Sequence, residues 1–134
     1  MGINNAELWN NLGLCCFYSS QYDMALNCLD RALQMADDED MADIWYNIGH
    51  VGVSLGDLAL AYQGFKVAVS LEPKHGEALN NLAVLENRRQ KPDVARGYYA
   101  TSSEVAPQLF EPLFNAGKHF ISTCILVTCG VLMY

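Results

Sequence analysis

The sequence predicts an all-α fold, an α-solenoid built from stacked antiparallel helix hairpins. Bulky side chains recur at long, even intervals: Trp45 follows Trp9 by 36 residues, and Leu79 follows 34 residues later. Such self-similarity is typical of solenoids that repeat one unit. Within each unit, apolar residues recur at three- and four-residue steps, as on one face of a helix. Gly56 and Asp57 stand midway through the central unit as helix-stopping and helix-starting residues, which divides that unit into two helices.

The repeat spacing divides the chain into consecutive units. We expect a lead-in at 1–5, repeat 1 at 6–41, repeat 2 at 42–75, repeat 3 at 76–109, the first helix of an incomplete repeat 4 at 110–119, and an apolar, divergent tail at 120–134. Side chains at matching places are expected to pack the helices of each hairpin together; they are Trp9, Gly13, Ala25, Trp45, Gly49, Ala61, Phe65, Ala95 and Tyr99.

Local signals place the helix ends. Helices are predicted at 6–19 and 22–36 in repeat 1 and at about 76–89 in repeat 3. Pro73 ends the second helix of repeat 2, and Pro92 fits the first turn of a helix, where its missing N–H costs nothing. The acidic run 37–40 is expected to cap the next helix, and the two extra residues of repeat 1 are expected to lie in that loop.

Composition and charge narrow the class of partner. The formal net charge is −7 with only eight basic residues, which argues against binding to nucleic acid or to an anionic membrane surface. Five cysteines, with Cys15 and Cys16 adjacent, do not form a disulfide framework and are typical of a reducing compartment. The first residues lack the pattern of a signal peptide or a myristoylation site, so we expect a soluble intracellular protein.

No catalytic, cofactor-binding or metal-binding motif is present in the sequence. It has no nucleotide-binding glycine loop, no G-x-S-x-G, no H-E-x-x-H and no paired Cys-x2-Cys. The three histidines lie far apart, on different predicted elements: His50, His75 and His119. Cys15, Cys16 and Cys28 are interpreted as small packing residues, because a buried free cysteine behaves as a hydrophobe. We therefore expect no enzyme, no cofactor and no small-molecule substrate.

A row of asparagines gives the candidate binding site. The sixth place of each repeat holds an amide, in Asn11, Asn47, Asn81 and Asn115. Amides donate and accept, so a row on the inner face of stacked helices could bond the backbone of an extended peptide. The alternative is that each amide only bonds a neighbouring helix. Other candidates for this groove are Asn10, Phe17, Tyr46, His50 and Asn80, with Glu7, Asp43, Glu77 and Asn87 nearby; the acidic bias favours a basic or aromatic partner.

The end of the chain departs from the repeat. Residues 123–126, where the turn of repeat 4 should fall, contain no Gly, Asp, Asn or Pro, and residues 120–134 are apolar and without Asp, Glu, Lys or Arg. We interpret this tail as a divergent end, such as alternative splicing or a gene-model error would produce. A short membrane or partner anchor is the alternative, although fifteen residues fall short of the ~20 that a spanning helix needs.

The recurring spacing W-x2-L-G, followed by Ala, an aromatic residue, Ala and Pro, resembles the tetratricopeptide repeat. This resemblance implies a right-handed superhelix that binds proteins. Repeats of this family that grip the acidic tails of heat-shock chaperones carry Lys and Arg on their inner helices. Here those places hold Asn10, Leu14, Glu77 and Asn81, so that carboxylate clamp is missing.

The residues around the consensus resemble, more narrowly, those of one tetratricopeptide repeat subunit of the BBSome. The likeness lies in the runs 6–18, 21–24, 43–50 and 78–86, and in Ala106-Pro107 with Glu111-Pro112 nearby. It implies a non-enzymatic scaffold, bound to other subunits of a coat-like complex that moves membrane receptors into and out of cilia. It also implies a cytoplasmic location at the cilium or basal body, with at most indirect membrane contact. A stand-alone peptide-binding adaptor or co-chaperone is the alternative.

The first prediction concerns the two small residues expected where paired helices cross. Replacing Gly49 by Trp or Ala61 by Phe should overpack that crossing and destabilise the fold by about 1–3 kcal/mol. Thermal unfolding of the two variants measures this, and an unchanged melting temperature in both would contradict the pairing.

Overall fold

The computed structural model describes residues 5–107, which contain six α-helices and no β-strand. The helices are α1 (Ala6–Tyr18), α2 (Tyr22–Met35), α3 (Asp38–Leu55), α4 (Leu58–Leu71), α5 (Gly76–Arg88) and α6 (Pro92–Val105). Successive helices pack in pairs, α1 with α2, α3 with α4 and α5 with α6. The predicted all-α hairpin architecture is confirmed. The chain divides into two compact units, Met1–Pro73 and Lys74–Tyr134.

The first unit holds two hairpins, and α2 packs on α3 as well as on α1. Its core is built from residues that recur at helical spacing, so each helix contributes one apolar stripe. Leu29 of α2 is fully buried, and Ile44 and Val51 of α3 are 1% exposed. Trp9 and Trp45 are partly buried and pack against this core.

The turn within each hairpin needs one residue in the left-handed conformation. Gly56 has φ +78°, and Ser20 and Gln90, which hold the same place in their repeats, have φ +61° and +63°. Only glycine adopts this conformation without a steric penalty. Asp57 then begins α4 by accepting a 3.0 Å hydrogen bond from the Leu60 N–H, as the sequence predicts. The turn is therefore fixed by its place in the repeat even where the favoured residue is absent.

The acidic run caps α3, but it does not lie in a loop. The Asp37 side chain accepts a hydrogen bond from the Asp40 N–H at 3.2 Å, so the predicted cap is confirmed. Residues 38–40 form the first turn of α3, which has 18 residues against 13 in α5. The prediction that the two extra residues lie in a loop is therefore wrong. Carboxylates are favourable at a helix N-terminus, so the insertion extends the helix instead.

The second unit contains the hairpin of α5 and α6. Pro92 is in the first turn of α6, as predicted. Ser102 is fully buried at the place held by Ala32 and Ala68 in the other repeats. Its hydroxyl donates a 2.8 Å hydrogen bond to the carbonyl oxygen of Gly76. A polar side chain is tolerated there because that bond offsets the cost of burying it.

Helices α3 and α4 approach so closely that glycine is required on both. A Cβ added at Gly64 would lie 2.6 Å from the Gly49 nitrogen and 2.8 Å from the Trp45 carbonyl oxygen. A Cβ at Gly49 would lie 2.6 Å from the Phe65 ring, and one at Gly52 would lie 2.6 Å from the Ala61 nitrogen. The structure thus places Gly49 and Ala61 at the crossing and adds two glycines that the repeat pattern did not single out. Gly52 and Gly64 could have been found from the sequence because each is a glycine inside a predicted helix. Glycine there costs about 1 kcal/mol relative to alanine, which suggests a packing reason for it.

We expect Gly64→Ala to destabilise the protein by about 1–3 kcal/mol, because its new methyl group would meet backbone atoms that cannot rotate away. Gly97→Ala is the matched control, since a Cβ at that helical position has no neighbour within 4 Å. It should stabilise the protein by about 0.5–1 kcal/mol through helix propensity and unfolded-state entropy. Urea unfolding of the full chain measures both; a change of the same sign in the two variants would contradict the close approach.

Candidate functional site

Three of the candidate groove residues lie together in the first unit. Phe17 of α1 and Tyr46 and His50 of α3 are all half-buried. The ring of His50 lies 4.7 Å from that of Tyr46 and 6.4 Å from that of Phe17, both edge to face. Nε2 of His50 and the Tyr46 hydroxyl also share a 2.8 Å hydrogen bond. We call these three residues, with Asn10 and Asn47, the inner-face cluster.

The cluster rests on a buried aromatic side chain of the neighbouring helix. Phe65 of α4 is fully buried, and its ring centroid lies 5.6 Å from that of Tyr46 and 5.9 Å from that of His50. Rings at these separations and tilts attract one another in addition to their burial. The close helix crossing that admits Phe65 beside Gly49 therefore also supports the cluster.

The two asparagines of the cluster bond each other across helices. The Asn47 side-chain N–H donates to the Asn10 side-chain oxygen at 2.9 Å, and the bond is part-buried. This bond joins α3 to α1. The alternative to peptide binding was that each amide only bonds a neighbouring helix, and Asn47 does make such a bond. A side-chain amide has two N–H donors and an oxygen acceptor. One bond therefore leaves each amide with further capacity, and a peptide-binding role for this pair stays a prediction.

The remaining asparagines of the predicted row differ in their surroundings. Asn11 is exposed and is adjacent to the residue that pairs with Asn47. In the second unit, Asn80 and Asn81 of α5 are half-buried. Asn115 lies outside the described residues, as do the predicted repeat 4 and the tail at 120–134. Within the described part, the sixth place thus carries amides in more than one environment.

Two acidic residues precede members of the cluster by three positions on the same helices. Glu7 of α1 and Asp43 of α3 are exposed. Repulsion from the Asp37 carboxylate raises the pKa of Asp40 above its ordinary value, and Glu7 contributes to the same shift. The carboxylates in the first turns of α1 and α3 are therefore close enough to repel one another.

A basic residue of repeat 1 makes a contact between α2 and α1 that the sequence did not indicate. The Arg31 guanidinium lies 5.0 Å from the centre of the Trp9 ring, a cation–π contact between α2 and α1. Contacts of this kind contribute about 0.5–1 kcal/mol at exposed sites.

The cysteines differ in exposure. Cys28 is buried and Cys16 half-buried, but Cys15 is exposed, so its interpretation as a packing residue is wrong for the described chain. Burial raises the pKa of the Cys28 thiol above its ordinary value, and the neighbouring Cys16 raises it further. Among residues 5–107, no three His, Cys, Asp or Glu side chains are grouped so that they could hold a metal ion. Over the same span, no helix combines the length and apolar character needed to cross a membrane.

Comparison with known proteins identifies the class of protein. Models of the tetratricopeptide repeat match residues 6–38 and 42–75. The chain belongs to the tetratricopeptide repeat family. Solved structures agree in fold: the crystal structure of MamA has a TM-score of 0.71 at 23% identity, covering 78% of this chain and 60% of that one. The crystal structure of the APC/C hetero-tetramer Cut9-Hcn1 has a TM-score of 0.70 at 21% sequence identity. The match covers 79% of this chain and 21% of that one.

Within the family, the chain is similar to Tetratricopeptide repeat protein 8. The Caenorhabditis elegans protein is 44% identical over 101 residues, 75% of this chain and 20% of that protein. The Homo sapiens protein is 53% identical over 86 residues, which are 63% of this chain and 16% of that protein. BBSome complex member BBS4 of Bos taurus is 35% identical over 97 residues, which are 72% of this chain and 18% of that protein. The chain thus spans about a fifth of the length of these relatives.

The hydrogen bond between Asn47 and Asn10 should contribute to stability, whereas the exposed Asn11 should not. Asn47→Ala removes the donor to Asn10 and should cost about 0.5–1.5 kcal/mol of stability. Asn11→Ala is the matched control, because Asn11 is exposed on the same helix as Asn10, and it should change stability by less than about 0.5 kcal/mol. Urea unfolding measures both; equal losses would show that the inter-helix bond does not contribute.

Proposed function

We propose that this chain is a non-enzymatic protein-interaction scaffold that assembles with subunits of a BBSome-type complex. In this role it serves ciliary membrane-protein trafficking and cilium assembly, from the cytoplasm near the basal body, with at most indirect membrane contact. The observation that carries the proposal is the similarity to Tetratricopeptide repeat protein 8, which extends over 75% of the chain in the Caenorhabditis elegans protein. The similarity to a BBSome complex member, BBS4, supports the same complex.

The inner-face cluster supports a protein as the ligand. Its half-buried rings offer apolar edges, and its paired amides offer donors and acceptors that suit a polypeptide backbone. Aromatic residues with adaptable polar neighbours are typical of protein interfaces. The surrounding carboxylates Glu7 and Asp43 favour a partner segment that carries Lys or Arg.

A stand-alone peptide-binding adaptor or co-chaperone is the second candidate. It is favoured by the same cluster, which needs only a short extended segment to fill it. The places that carry the carboxylate clamp in chaperone-binding repeats hold Asn10, Leu14, Glu77 and Asn81. An acidic chaperone tail therefore does not suit this surface, and a basic or aromatic segment does.

Affinity purification from ciliated cells tests the proposal. The tagged full chain should recover BBSome subunits, identified by mass spectrometry, whereas recovery of chaperones alone would favour the adaptor. Asn11→Arg places a bulky positive charge beside the cluster and should reduce recovery by on the order of tenfold, equivalent to about 1.4 kcal/mol.

Gln63→Arg supplies the matched control. It introduces the same charge at an exposed position of α4, outside the cluster, and should leave recovery unchanged. Failure of the unmodified chain to recover any BBSome subunit would refute the proposal.

A further inference from the structure

Two cysteines lie together between the helices of the first hairpin. Cys28 of α2 is buried, and Cys16 of α1 is half-buried. Cys16 packs against the core cluster that contains Ala25 and Leu29 of α2. The thiols of Cys16 and Cys28 are near enough for a side-chain hydrogen bond. Both thiols are free, and the proposed function makes no use of their chemistry.

The second repeat shows independently that these two places lie at a helix crossing. Counting 36 residues forward from Cys16 and Cys28 gives Gly52 and Gly64. A Cβ added at Gly52 would lie 2.6 Å from a backbone nitrogen of α4, and one at Gly64 would lie 2.6 Å from a backbone nitrogen of α3. Side chains at both places therefore point at the facing helix of their own hairpin. Repeat 1 holds two thiols where repeat 2 has no room for a side chain.

The crossing of repeat 1 is itself close. A Cβ added at Gly13, one turn before Cys16, would lie 2.9 Å from the Leu29 side chain and 3.3 Å from the Ala25 carbonyl oxygen. Leu29 directly follows Cys28 in α2. The contact between the two cysteines is thus internal to one hairpin and needs neither a partner nor another repeat.

We propose that Cys16 and Cys28 are a redox modification site, at which a peroxide joins the two thiols in a reversible disulfide. A disulfide requires Cβ atoms about 3.5–4.5 Å apart, a separation that side chains pointing at each other across a close crossing can reach. In reducing compartments such bonds are transient and sense the redox state. The bond would stabilise the hairpin, because it constrains the unfolded chain.

The exposure of the thiols sets the order of the two chemical steps. The thiolate of Cys16, the more accessible of the pair, attacks one oxygen of hydrogen peroxide. An S–O bond forms, the O–O bond breaks, and the other oxygen leaves as hydroxide, which takes up the thiol proton to give water. The Cys28 sulfur then gives up its proton and attacks the sulfenic acid of Cys16. The S–S bond forms, the S–O bond breaks, and a second water leaves.

These steps pass two electrons from the pair of thiols to the peroxide. Reduction needs two glutathione thiols, which exchange with the disulfide and leave as glutathione disulfide. Burial raises the pKa of the Cys28 thiol, and a thiol that is seldom ionised reacts slowly with peroxide. Cys28 is therefore suited to resolve the sulfenic acid of Cys16 and not to form one itself.

The bond would lie beside the inner-face cluster. Phe17 of that cluster follows Cys16 directly in α1, and its ring centroid lies 5.8 Å from that of Tyr22 of α2. A covalent link from Cys16 to α2 would therefore hold α1 at the level of Phe17. This consequence for binding rests on the proposed function, whereas the disulfide itself does not.

Cys15 provides a matched control within the same helix. It is adjacent to Cys16 in sequence and exposed. Consecutive residues of a helix point in directions about 100° apart, so two neighbours do not face the same partner. Cys15 is thus the thiol that peroxide reaches most easily but that has no place opposite Cys28.

Oxidation of the isolated full chain tests the site. The chain is treated with an equimolar amount of hydrogen peroxide, the remaining thiols are blocked with iodoacetamide, and the protein is digested with Asp-N endoproteinase. Cleavage before Asp23 and Asp30 releases Cys28 in the peptide 23–29, apart from Cys15 and Cys16. Mass spectrometry should find this peptide joined to the one that holds Cys16, and glutathione should separate them. The urea midpoint of the oxidised chain should exceed that of the reduced chain.

Three variants assign the bond to its residues. Cys15→Ser should leave the yield of disulfide unchanged, whereas Cys16→Ser should lower it by about tenfold or more. Cys28→Ala should leave Cys16 as a sulfenic acid, which dimedone traps. Far-UV circular dichroism checks that each variant keeps its helices, and the main result comes from the unmodified chain.

Three results would overturn the inference. If peroxide oxidised Cys15 while Cys16 and Cys28 stayed reduced, the pair would be packing residues only. Equal yields of disulfide from Cys15→Ser and Cys16→Ser would show that the hairpin does not select the partner of Cys28. A bond that glutathione fails to reduce would be a permanent crosslink and not a reversible modification.

Discussion

The close approach of α3 and α4 is the constraint on which the first unit depends. At Gly64 and Gly49 the two backbones come so near that a single added Cβ would lie within 3 Å of a backbone atom or an aromatic ring. The space that Gly49 leaves is filled by Phe65, which is fully buried. Interiors pack at crystal-like density, so a crossing of this kind tolerates neither a gap nor an extra methyl group.

This crossing also supports the side chains of the inner-face cluster. Phe65 lies beneath Tyr46 and His50, and the two are further joined by their own hydrogen bond. The polar and aromatic groups of the proposed binding surface are therefore supported by the hairpin core. Side chains held by packing lose less conformational freedom on binding than free ones. The proposed scaffold role needs no catalytic group from such a surface, only a fixed shape and a suitable charge.

Repetition fixes the backbone more strictly than it fixes the side chains. The turn within each hairpin is left-handed at the same place in all three repeats, whether the residue is Gly56, Ser20 or Gln90. A buried place that holds alanine in two repeats holds Ser102 in the third, where its hydroxyl bonds the Gly76 carbonyl. Each exception has a local physical explanation, because the pairing of helices within a hairpin constrains where the backbone lies, and neighbouring groups then satisfy the side chain placed there.

The sequence by itself determined the helices, their turns and several caps, since helical periodicity, Gly56, Asp57 and Pro92 act on residues close along the chain. It also named Phe17, Tyr46 and His50 as candidates for one surface. Only the tertiary structure decided that Asn47 bonds Asn10, that the acidic run lengthens α3, and that Leu8, Leu12 and Cys15 are exposed while Ile44, Ile48 and Val51 are buried. The physical reason is that an apolar stripe shows in the sequence wherever it occurs, whereas its burial depends on which other helix lies against it.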